Sequence, residues 1–288
     1  AILDKLDISS LNEMQERLLE SYQKERDFLL LSPTGSGKTL AFSLLILQQL
    51  KAEARKVQVL IVVPTRELAL QIEQVLRKVA TGYKITCAYG GHHTRIEKNA
   101  FKDAPAIIIG TPGRIKQHIE EQNFDPSNIH TLVLDEFDKS LELGFQHQMD
   151  FIIQHIPTIK SRILTSATMM DTLPPFTQIK QPILVDFLHN SKHTPQITIR
   201  KVVAPVQKKL EALLKLICKI GTKKMIVFCN HRDAVDHISE LLDNRNIIHD
   251  TFHGGLEQQD RELALLKFRN HSNHVLITTD LAARGLDI

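Results

Sequence analysis

The sequence predicts an α/β protein built from two parallel-sheet domains in tandem. Apolar runs of strand length alternate with helical segments along the whole chain. The strand runs are apolar throughout, as expected where helices cover both faces of a parallel sheet. A length of 288 residues suffices for about two domains that each bury a core.

The first domain is predicted to span residues 1–187. A helix is expected over residues 67–80, because apolar residues recur there at helical spacing. The predicted strands are short apolar runs bounded by polar or glycine-containing loops, at residues 28–31, 57–63, 85–89, 106–109, 131–134, 162–165 and 183–185.

Residues 188–196 are polar and lack periodicity, which predicts a linker. The alternation resumes in a second domain, residues 197–288, which is predicted to be incomplete because the chain stops within an α/β pattern. Its expected strands are residues 197–203, 225–228, 247–252 and 275–278, and its expected helices are residues 208–220, 233–242 and 257–268. This domain carries no phosphate-binding loop of its own.

Composition excludes several classes of protein. No apolar stretch approaches the roughly 18 residues that span a bilayer, and no signal-peptide pattern opens the chain, so a cytoplasmic protein without membrane association is expected. Three cysteines without paired spacing argue against a disulfide framework and a zinc site. The net charge of +3 is compatible with nucleic acid. Since there is no Trp and only 5% aromatic residues, a nucleic acid would be held through its backbone rather than by base stacking.

Residues 32–39 read Ser-Pro-Thr-Gly-Ser-Gly-Lys-Thr and lie between an apolar strand and an apolar helix. Glycines in such a loop let backbone N–H groups surround phosphates at a helix N-terminus. Lys38 would add a positive charge, and the Thr39 hydroxyl could ligate Mg²⁺. The strict pattern begins with glycine, where this chain has Ser32. The loop predicts a nucleoside triphosphate site formed by Ser32, Thr34, Gly35, Ser36, Gly37, Lys38 and Thr39.

A second element of that site follows the apolar run 131–134, which leads directly into Asp135, Glu136, Phe137 and Asp138. Carboxylates at the carboxyl end of a parallel strand lie in the ligand crevice of the sheet. Asp135 is the expected metal-side carboxylate. Glu136 is expected to orient or deprotonate the attacking water.

Two further segments, Pro64-Thr65-Arg66 and residues 111–114 (Thr-Pro-Gly-Arg), lie where a strand ends and a helix begins. Each offers N–H groups at a helix N-terminus together with a guanidinium, which suits an anion. Either threonine alone could be a helix cap and nothing more. Two such segments on one sheet edge predict a polyanion lying across the strand ends.

In order and spacing these segments resemble the motifs of the DEAD-box RNA helicases of helicase superfamily 2, nearly from end to end. The resemblance implies two RecA-like domains, ATP and Mg²⁺ as cofactors, and single-stranded or short duplex RNA as the partner. The matching segments are motif I at residues 32–39, motif Ia at 64–69, Gly90-Gly91, motif Ib at 111–114, motif II at 135–138, motif III at 166–168, motif IV at 226–230, residues 253–261 ahead of motif V, and motif V at 279–287.

The resemblance also implies roles for individual residues. Gln15 resembles the adenine-reading glutamine of the family, and its amide offers the donor and acceptor that adenine requires. Gly285 and Asp287 would contact ATP from the second domain. The implied catalytic set is Lys38, Asp135, Glu136, Ser166 and Thr168. The implied RNA-binding set is Pro64, Thr65, Arg66, Gly90, Gly91, Thr111, Gly113, Arg114, Gln258, Arg261 and Thr279.

Three departures from the family pattern are evident. Gln15 lacks the usual Pro-Thr before it, and the upstream aromatic residue would precede Ala1. Phe137 replaces the usual alanine of motif II, next to Asp138, which is expected to meet Ser166 and Thr168. The arginine-rich motif VI would follow the last residue. Because an arginine finger contributes roughly 10³–10⁵ in rate, weak hydrolysis is expected of this polypeptide.

The expected function is that of an ATP-dependent RNA helicase or RNA–protein remodeller, which couples RNA-stimulated hydrolysis to interdomain closure and local strand separation. It would act as a monomer or within ribonucleoprotein assemblies. The alternatives are a DNA-directed helicase of the same superfamily and an ATP-gated RNA clamp. Glu136 and the segment Ser166-Ala167-Thr168 argue against the clamp, because a clamp has little need of a hydrolytic base.

Overall fold

The computed structural model describes residues 2–6, 8–52, 56–91, 94–170, 172–188 and 198–279. The chain divides into two compact units, Ala1–His193 and Thr194–Ile288. Gly285 and Asp287, the two residues predicted to reach ATP from the second domain, lie outside the described residues.

The first unit contains a seven-stranded sheet with the order β3-β4-β2-β5-β6-β1-β7. All of its strand pairs are parallel, so the carboxyl ends of the strands meet at one edge. The strands are β1 (Phe28–Leu31), β2 (Val59–Val62), β3 (Ile85–Ala88), β4 (Ile107–Gly110), β5 (Thr131–Leu134), β6 (Ser161–Ser166) and β7 (Ile183–Asp186).

Helices cover both faces of this sheet. They are α1 (Ile2–Lys5), α2 (Glu13–Glu20), α3 (Lys38–Gln49), α4 (Arg66–Val79), α5 (Thr94–Phe101), α6 (Pro112–Glu120), α7 (Phe137–Glu142) and α8 (Gln146–Gln154). Neighbouring β2 residues show the two faces, since Ile61 packs in one apolar cluster with Phe42 and Leu60 packs in another with Ile152. Successive strand residues point to opposite faces, which confirms the prediction of a sheet buried on both sides.

The second unit contains a three-stranded parallel sheet with the order β8-β10-β9. Its strands are β8 (Met225–Cys229), β9 (Asp250–Phe252) and β10 (Val275–Thr279), and its helices are α9 (Lys209–Ile220), α10 (Arg232–Asp243) and α11 (Gln258–Arg269). Ile277 packs in one apolar cluster, whereas Leu276 packs with Phe252 and Phe268 in another. The predicted α/β class is confirmed in this unit as well.

One predicted strand is wrong. Residues 198–205 have no regular structure and lead into a 3₁₀ turn at Val206–Lys208. Ile199 and Val203 are 90% and 84% exposed. Their apolar pattern resembles that of a strand, but a strand also needs a hydrogen-bonded neighbour, and the three-stranded sheet of the described chain does not include this segment.

The predicted strand 247–252 is shorter than expected. The Ile247 N–H donates to Leu242 O at 3.0 Å and so closes the end of α10 instead of entering the sheet. Within the described ranges, no helix has both the length and the apolar character needed to cross a bilayer.

Candidate nucleotide site and nucleic-acid face

The predicted nucleotide-binding residues meet at the carboxyl ends of three neighbouring strands. Strand β6 lies between β5 and β1, so the loop after β1 lies beside the ends of the strands that carry Asp135 and Ser166. A backbone hydrogen bond from Ser32 N–H to Ser166 O, 3.0 Å long, ties the loop to β6. The strand order therefore brings together three segments that are far apart in sequence.

The phosphate loop turns through Gly35 and Gly37, which have φ angles of 78° and 88°. This left-handed region is disfavoured for residues that carry a Cβ. Gly37 is also the N-cap of α3, and a Cβ there would lie 2.5 Å from Gln15 Nε2. The loop thus presents the N-terminus of α3, which attracts anions.

Lys38 is buried within the loop. Its Nζ donates to Ser32 O at 2.7 Å and to Pro33 O at 2.8 Å. Burial lowers the pKa of Lys38, while the charges of Asp135 and Glu136 act to raise it. The ammonium group therefore lies near both acidic side chains, in the loop where the sequence predicts phosphates.

Asp135 and Glu136 share one partner, the hydroxyl of Thr165. Thr165 Oγ1 donates to Asp135 Oδ1 and accepts the backbone N–H of Glu136 at 3.1 Å. Burial raises the pKa of Asp135, against the hydrogen bond from Thr165 and the charge of Lys38.

Glu136 has the features of a proton acceptor. Burial first, and the charge of Asp135 second, raise the pKa of Glu136 to about 7. A carboxylate with a pKa near the working pH is suited to general base catalysis. The backbone of Glu136 is left-handed, with φ 48° and ψ 51°, a strained conformation that is typical of functional sites when glycine is not used.

Several buried oxygen atoms of this site have no hydrogen-bond partner among the described residues. They are Ser32 Oγ, Ser36 Oγ, Glu136 Oε2 and Asp138 Oδ1. Buried polar atoms are normally paired by protein, water or ligand. Unpaired oxygens beside an ammonium group and a helix N-terminus fit a triphosphate with a hydrated hard cation.

Motif II and motif III contact each other through Thr168, one of the two residues expected to meet Asp138. Thr168 Oγ1 donates to Asp138 Oδ2 at 2.9 Å. The Ser166 hydroxyl bonds within its own turn, donating to Thr168 O at 2.7 Å. Phe137 is fully buried and its ring lies 6.1 Å from that of Phe176, so the unusual ring of motif II anchors α7 in the core.

Gln15 lies against the phosphate loop, and its amide has partners within the protein. Its Nε2 donates to Gly37 O at 3.2 Å, and its Oε1 accepts from Asn12 N at 3.0 Å as part of a capping box at the start of α2. Asn12 was not predicted; its Nδ2 donates to Ser36 O at 2.9 Å. The capping spacing Asn-x-x-Gln was the signal that could have revealed it.

The predicted nucleic-acid face occupies the other half of the same sheet edge, because β3, β4 and β2 are neighbours. Pro64 and Thr65 follow β2, Thr111 and Gly113 follow β4, and Gly90 and Gly91 follow β3. The Thr65 hydroxyl accepts Leu68 N–H at 3.3 Å and so caps α4, whereas Thr111 makes no side-chain cap to α6. Simple capping therefore accounts for the first threonine but not for the second.

The Arg114 guanidinium, expected to face a nucleic-acid phosphate, already pairs with side chains of the protein through two of its nitrogens. Its Nε donates to Glu97 Oε2 at 2.5 Å, and its Nη1 donates to Gln117 Oε1 at 2.7 Å. The Arg114 and Glu97 side chains are only 12% and 5% exposed. The cause is the packing of α5 against the start of α6, which places a carboxylate beside a residue 17 positions away.

Glu97 connects the predicted RNA-binding loops and was missed in the sequence. Its Oε1 accepts from Tyr89 N at 3.3 Å and Gly90 N at 3.4 Å, and His118 Nε2 lies 2.6 Å from Oε2. A lone acidic residue carries no motif that would reveal this role. Arg66 lies beside the same loop, since its Nη2 is 3.9 Å from the position of a Cβ on Gly90.

In the second unit, the three predicted RNA-binding residues collect at the carboxyl ends of β9 and β10. The Arg261 guanidinium lies over the ring of Phe252, 4.9 Å from its centroid. Gln258 is buried and its Nε2 donates to Glu262 Oε1 at 2.9 Å. Thr279 is the last residue of β10 and is buried as well.

Comparison with known proteins agrees with this arrangement. The family model described as DEAD/DEAH box helicase matches residues 12–174, and the model described as Helicase conserved C-terminal domain matches residues 208–288.

Curated relatives extend the match over nearly the whole chain. DEAD-box ATP-dependent RNA helicase CshA of Geobacillus kaustophilus is 32% identical over 99% of this chain and 62% of its own length. DEAD-box ATP-dependent RNA helicase RhpA of Helicobacter pylori is 31% identical over 97% of this chain and 58% of its own length. ATP-dependent RNA helicase eIF4A of Emericella nidulans is 34% identical over 96% of this chain and 70% of its own length. The chain thus spans about three fifths of the two bacterial relatives.

Solved structures show the same fold. A hypothetical ATP-dependent RNA helicase from Sulfolobus tokodaii is 27% identical with a TM-score of 0.59, covering 100% of this chain and 83% of its own. A variant of S. cerevisiae Dbp5 bound to RNA and ADP BeF3 is 25% identical with a TM-score of 0.86, covering 100% of this chain and 74% of its own. Family models, relatives and site geometry agree, and the chain belongs to the DEAD/DEAH box helicase family.

Proposed function

We propose that this protein is an ATP-dependent RNA helicase or RNA–protein remodeller that couples RNA-stimulated ATP hydrolysis to local strand separation. The observation that carries the proposal is the half-buried Glu136 side chain, whose Oε2 is buried without a partner among the described residues and whose pKa is raised to about 7. Glu136 is one of the acidic residues whose charges act to raise the pKa of Lys38. It lies at the sheet edge that also carries the predicted nucleic-acid face. The relatives of this chain are named ATP-dependent RNA helicases.

In this proposal the N-terminus of α3 and the Lys38 ammonium bind the phosphates of ATP. Lys38 would exchange its two carbonyl partners in the loop, Ser32 O and Pro33 O, for phosphate oxygens. Thr39 and Asp135 would hold Mg²⁺, and the bound ion would neutralise negative charge on the phosphates. Glu136 holds the proton taken from the attacking water on its Oε2, the buried oxygen without a partner among the described residues.

RNA is proposed to bind across the ends of β2, β4 and β3 through its sugar–phosphate backbone. Two helix N-termini start there, at Arg66 and Pro112, and a chain with 5% aromatic residues has few rings for base stacking. Such binding carries no base information. A DNA-directed helicase is the main alternative, and an ATP-gated clamp is disfavoured by the proton-accepting features of Glu136.

The test is ATP hydrolysis by the natural full-length protein, alone and with RNA or DNA of one sequence at a fixed salt concentration. We expect stimulation by RNA to exceed stimulation by DNA, because only RNA offers 2′-hydroxyls. The Glu136→Gln variant should bind ATP within about threefold of wild type but lose at least about 10²-fold in turnover. Equal stimulation by DNA would favour the DNA-directed alternative. Full ATP binding without RNA-stimulated turnover in the wild type would favour the clamp.

A further inference from the structure

Thr165 is a fully buried residue of β6 to which the motif pattern assigns no role. Its neighbour Leu164 pairs with Leu134 of β5, so Thr165 stands beside the point where β5 leads into Asp135. Its hydroxyl donates to Asp135 Oδ1 and accepts the Glu136 N–H at 3.1 Å. A single oxygen therefore contacts both acidic residues of the proposed ATPase site.

We propose that Thr165 is a positioning residue that fixes the Asp135 carboxylate and the Glu136 backbone at the same time. This inference rests on the proposed function. A hydroxyl has one proton to donate and two lone pairs to accept with, so it can serve a carboxylate and an amide together. An apolar side chain of the same shape can do neither.

Both contacts are ones that the site needs. Asp135 is buried, and a buried carboxylate without hydrogen bonds is strongly disfavoured. Glu136 has a left-handed backbone with φ 48°, a conformation that persists only where its surroundings hold it. The bond from the Glu136 N–H to Thr165 is the described contact that holds that peptide in place.

The residues after Thr165 also contact motif II. Ser166 follows directly and forms the turn in which Thr168 Oγ1 donates to Asp138 Oδ2 at 2.9 Å. Strand β6 and its turn therefore contact Asp135, Glu136 and Asp138 in succession. Because β6 is hydrogen-bonded on both sides, to β5 and β1, it provides a rigid template for the acidic segment.

The decisive variant is Thr165→Val, which keeps the shape of the side chain and removes the hydroxyl. We expect kcat for RNA-stimulated hydrolysis to fall about 10- to 100-fold, because small displacements of reacting groups cost this much. KM for ATP should stay within about threefold, since the contacts of the phosphate loop are unchanged. Thr165→Ser retains the hydroxyl and should restore kcat to within about threefold of wild type.

Thr131→Val is a matched control. Thr131 is equally buried but lies at the amino end of β5, away from the site, and its Oγ1 donates to Gln49 Oε1 at 2.6 Å. We expect this variant to keep the wild-type kcat. A readout independent of activity is hydrogen exchange at the Glu136 amide, which should accelerate in Thr165→Val, stay slow in Thr131→Val and recover in Thr165→Ser.

The outcomes separate two failures. A full-length wild type that shows no RNA-stimulated hydrolysis would refute the proposed function, and this inference with it. If the wild type is active but Thr165→Val keeps the wild-type kcat, the inference alone is refuted. The same holds if Thr131→Val loses as much kcat as Thr165→Val does. If Thr165→Val does not fold, Thr165→Cys, whose thiol is only a weak donor, should show the same loss in kcat, and a normal kcat there would overturn the proposal.

Discussion

Replacing Glu97 by glutamine should destabilise the first unit by far more than the loss of an ordinary surface charge. Four donor groups surround the two carboxylate oxygens: the Tyr89 and Gly90 N–H groups at one, and Arg114 Nε and His118 Nε2 at the other. Asn123 Nδ2 lies 2.8 Å from His118 Nδ1, and because an amide nitrogen can only donate, His118 Nε2 is the nitrogen that donates to Glu97.

Glutamine offers one oxygen and one NH₂ group in place of two oxygens. Whichever way its amide is oriented, two of the four donors face another donor. Glu97 is 5% exposed and His118 is fully buried, so water cannot replace the lost partners. Breaking a buried charged pair in this way costs about 3–5 kcal/mol. For a domain of this size, about 2–4 °C of Tm per kcal/mol gives a lowering of about 6–20 °C.

Thermal unfolding of wild type and Glu97→Gln measures this effect, with Glu120→Gln as the control. Glu120 forms an i,i+4 ion pair with Lys116. The Lys116 side chain is 34% exposed and the Glu120 side chain is 46% exposed. Removing an exposed pair should cost less than about 1 kcal/mol. If the Tm of Glu97→Gln equals that of Glu120→Gln, the view that Glu97 organises these loops is refuted.

The same pair of proteins gives a prediction about pH. The hydrogen bonds of His118 and Arg114 to Glu97 outweigh its burial and lower the pKa of Glu97 below the ordinary 4.5 of a glutamate. A group with a lowered pKa in the folded state stabilises the protein above its unfolded pKa, and that contribution is lost as the pH falls through the folded pKa. The difference in stability between wild type and Glu97→Gln should therefore narrow below pH 4.5, and a difference that stays constant down to pH 3 would contradict this assignment.

Two further predictions concern the nucleotide site. Gly37→Ala should lower the Tm of the nucleotide-free protein more than Gly35→Ala does. Both positions have positive φ, but only a Cβ at Gly37 would lie 2.5 Å from Gln15 Nε2. Equal decreases in Tm for the two variants would refute the role of that contact. Hydrolysis should rise as the pH increases through about 7, because Glu136, whose pKa is raised to about 7, accepts a proton only when ionised. A rate that is flat between about pH 6 and 8 would contradict its role as the base.

The sequence was most informative where strands end. Loops that follow parallel strands converge on one sheet edge, so the grouping of Lys38 with Asp135, and of Thr65 with Thr111, could be expected from strand and motif order alone. The strand predicted at residues 197–203 is absent from the part that the structure describes, residues 198–203, and this shows the limit of such reasoning. An apolar pattern describes what a segment can bury, whereas a strand also requires a neighbour to accept its hydrogen bonds, and no local pattern specifies that neighbour.

The residues that sequence reasoning missed share a different property: they hold motif residues in place. Thr165 binds Asp135 and Glu136, and Glu97 binds Arg114 and the loop at Gly90. Thr165 is 30 and 29 positions from Asp135 and Glu136, and Glu97 is 17 positions from Arg114, so these contacts exist only after the sheet has formed and leave no spacing signal. In the proposed function the motif residues contact the ligand, so the chemistry of the ligand constrains them. Thr165 and Glu97 are constrained by the packing around them, so substitutions there should change rate or stability without altering the groups proposed to contact ATP or RNA.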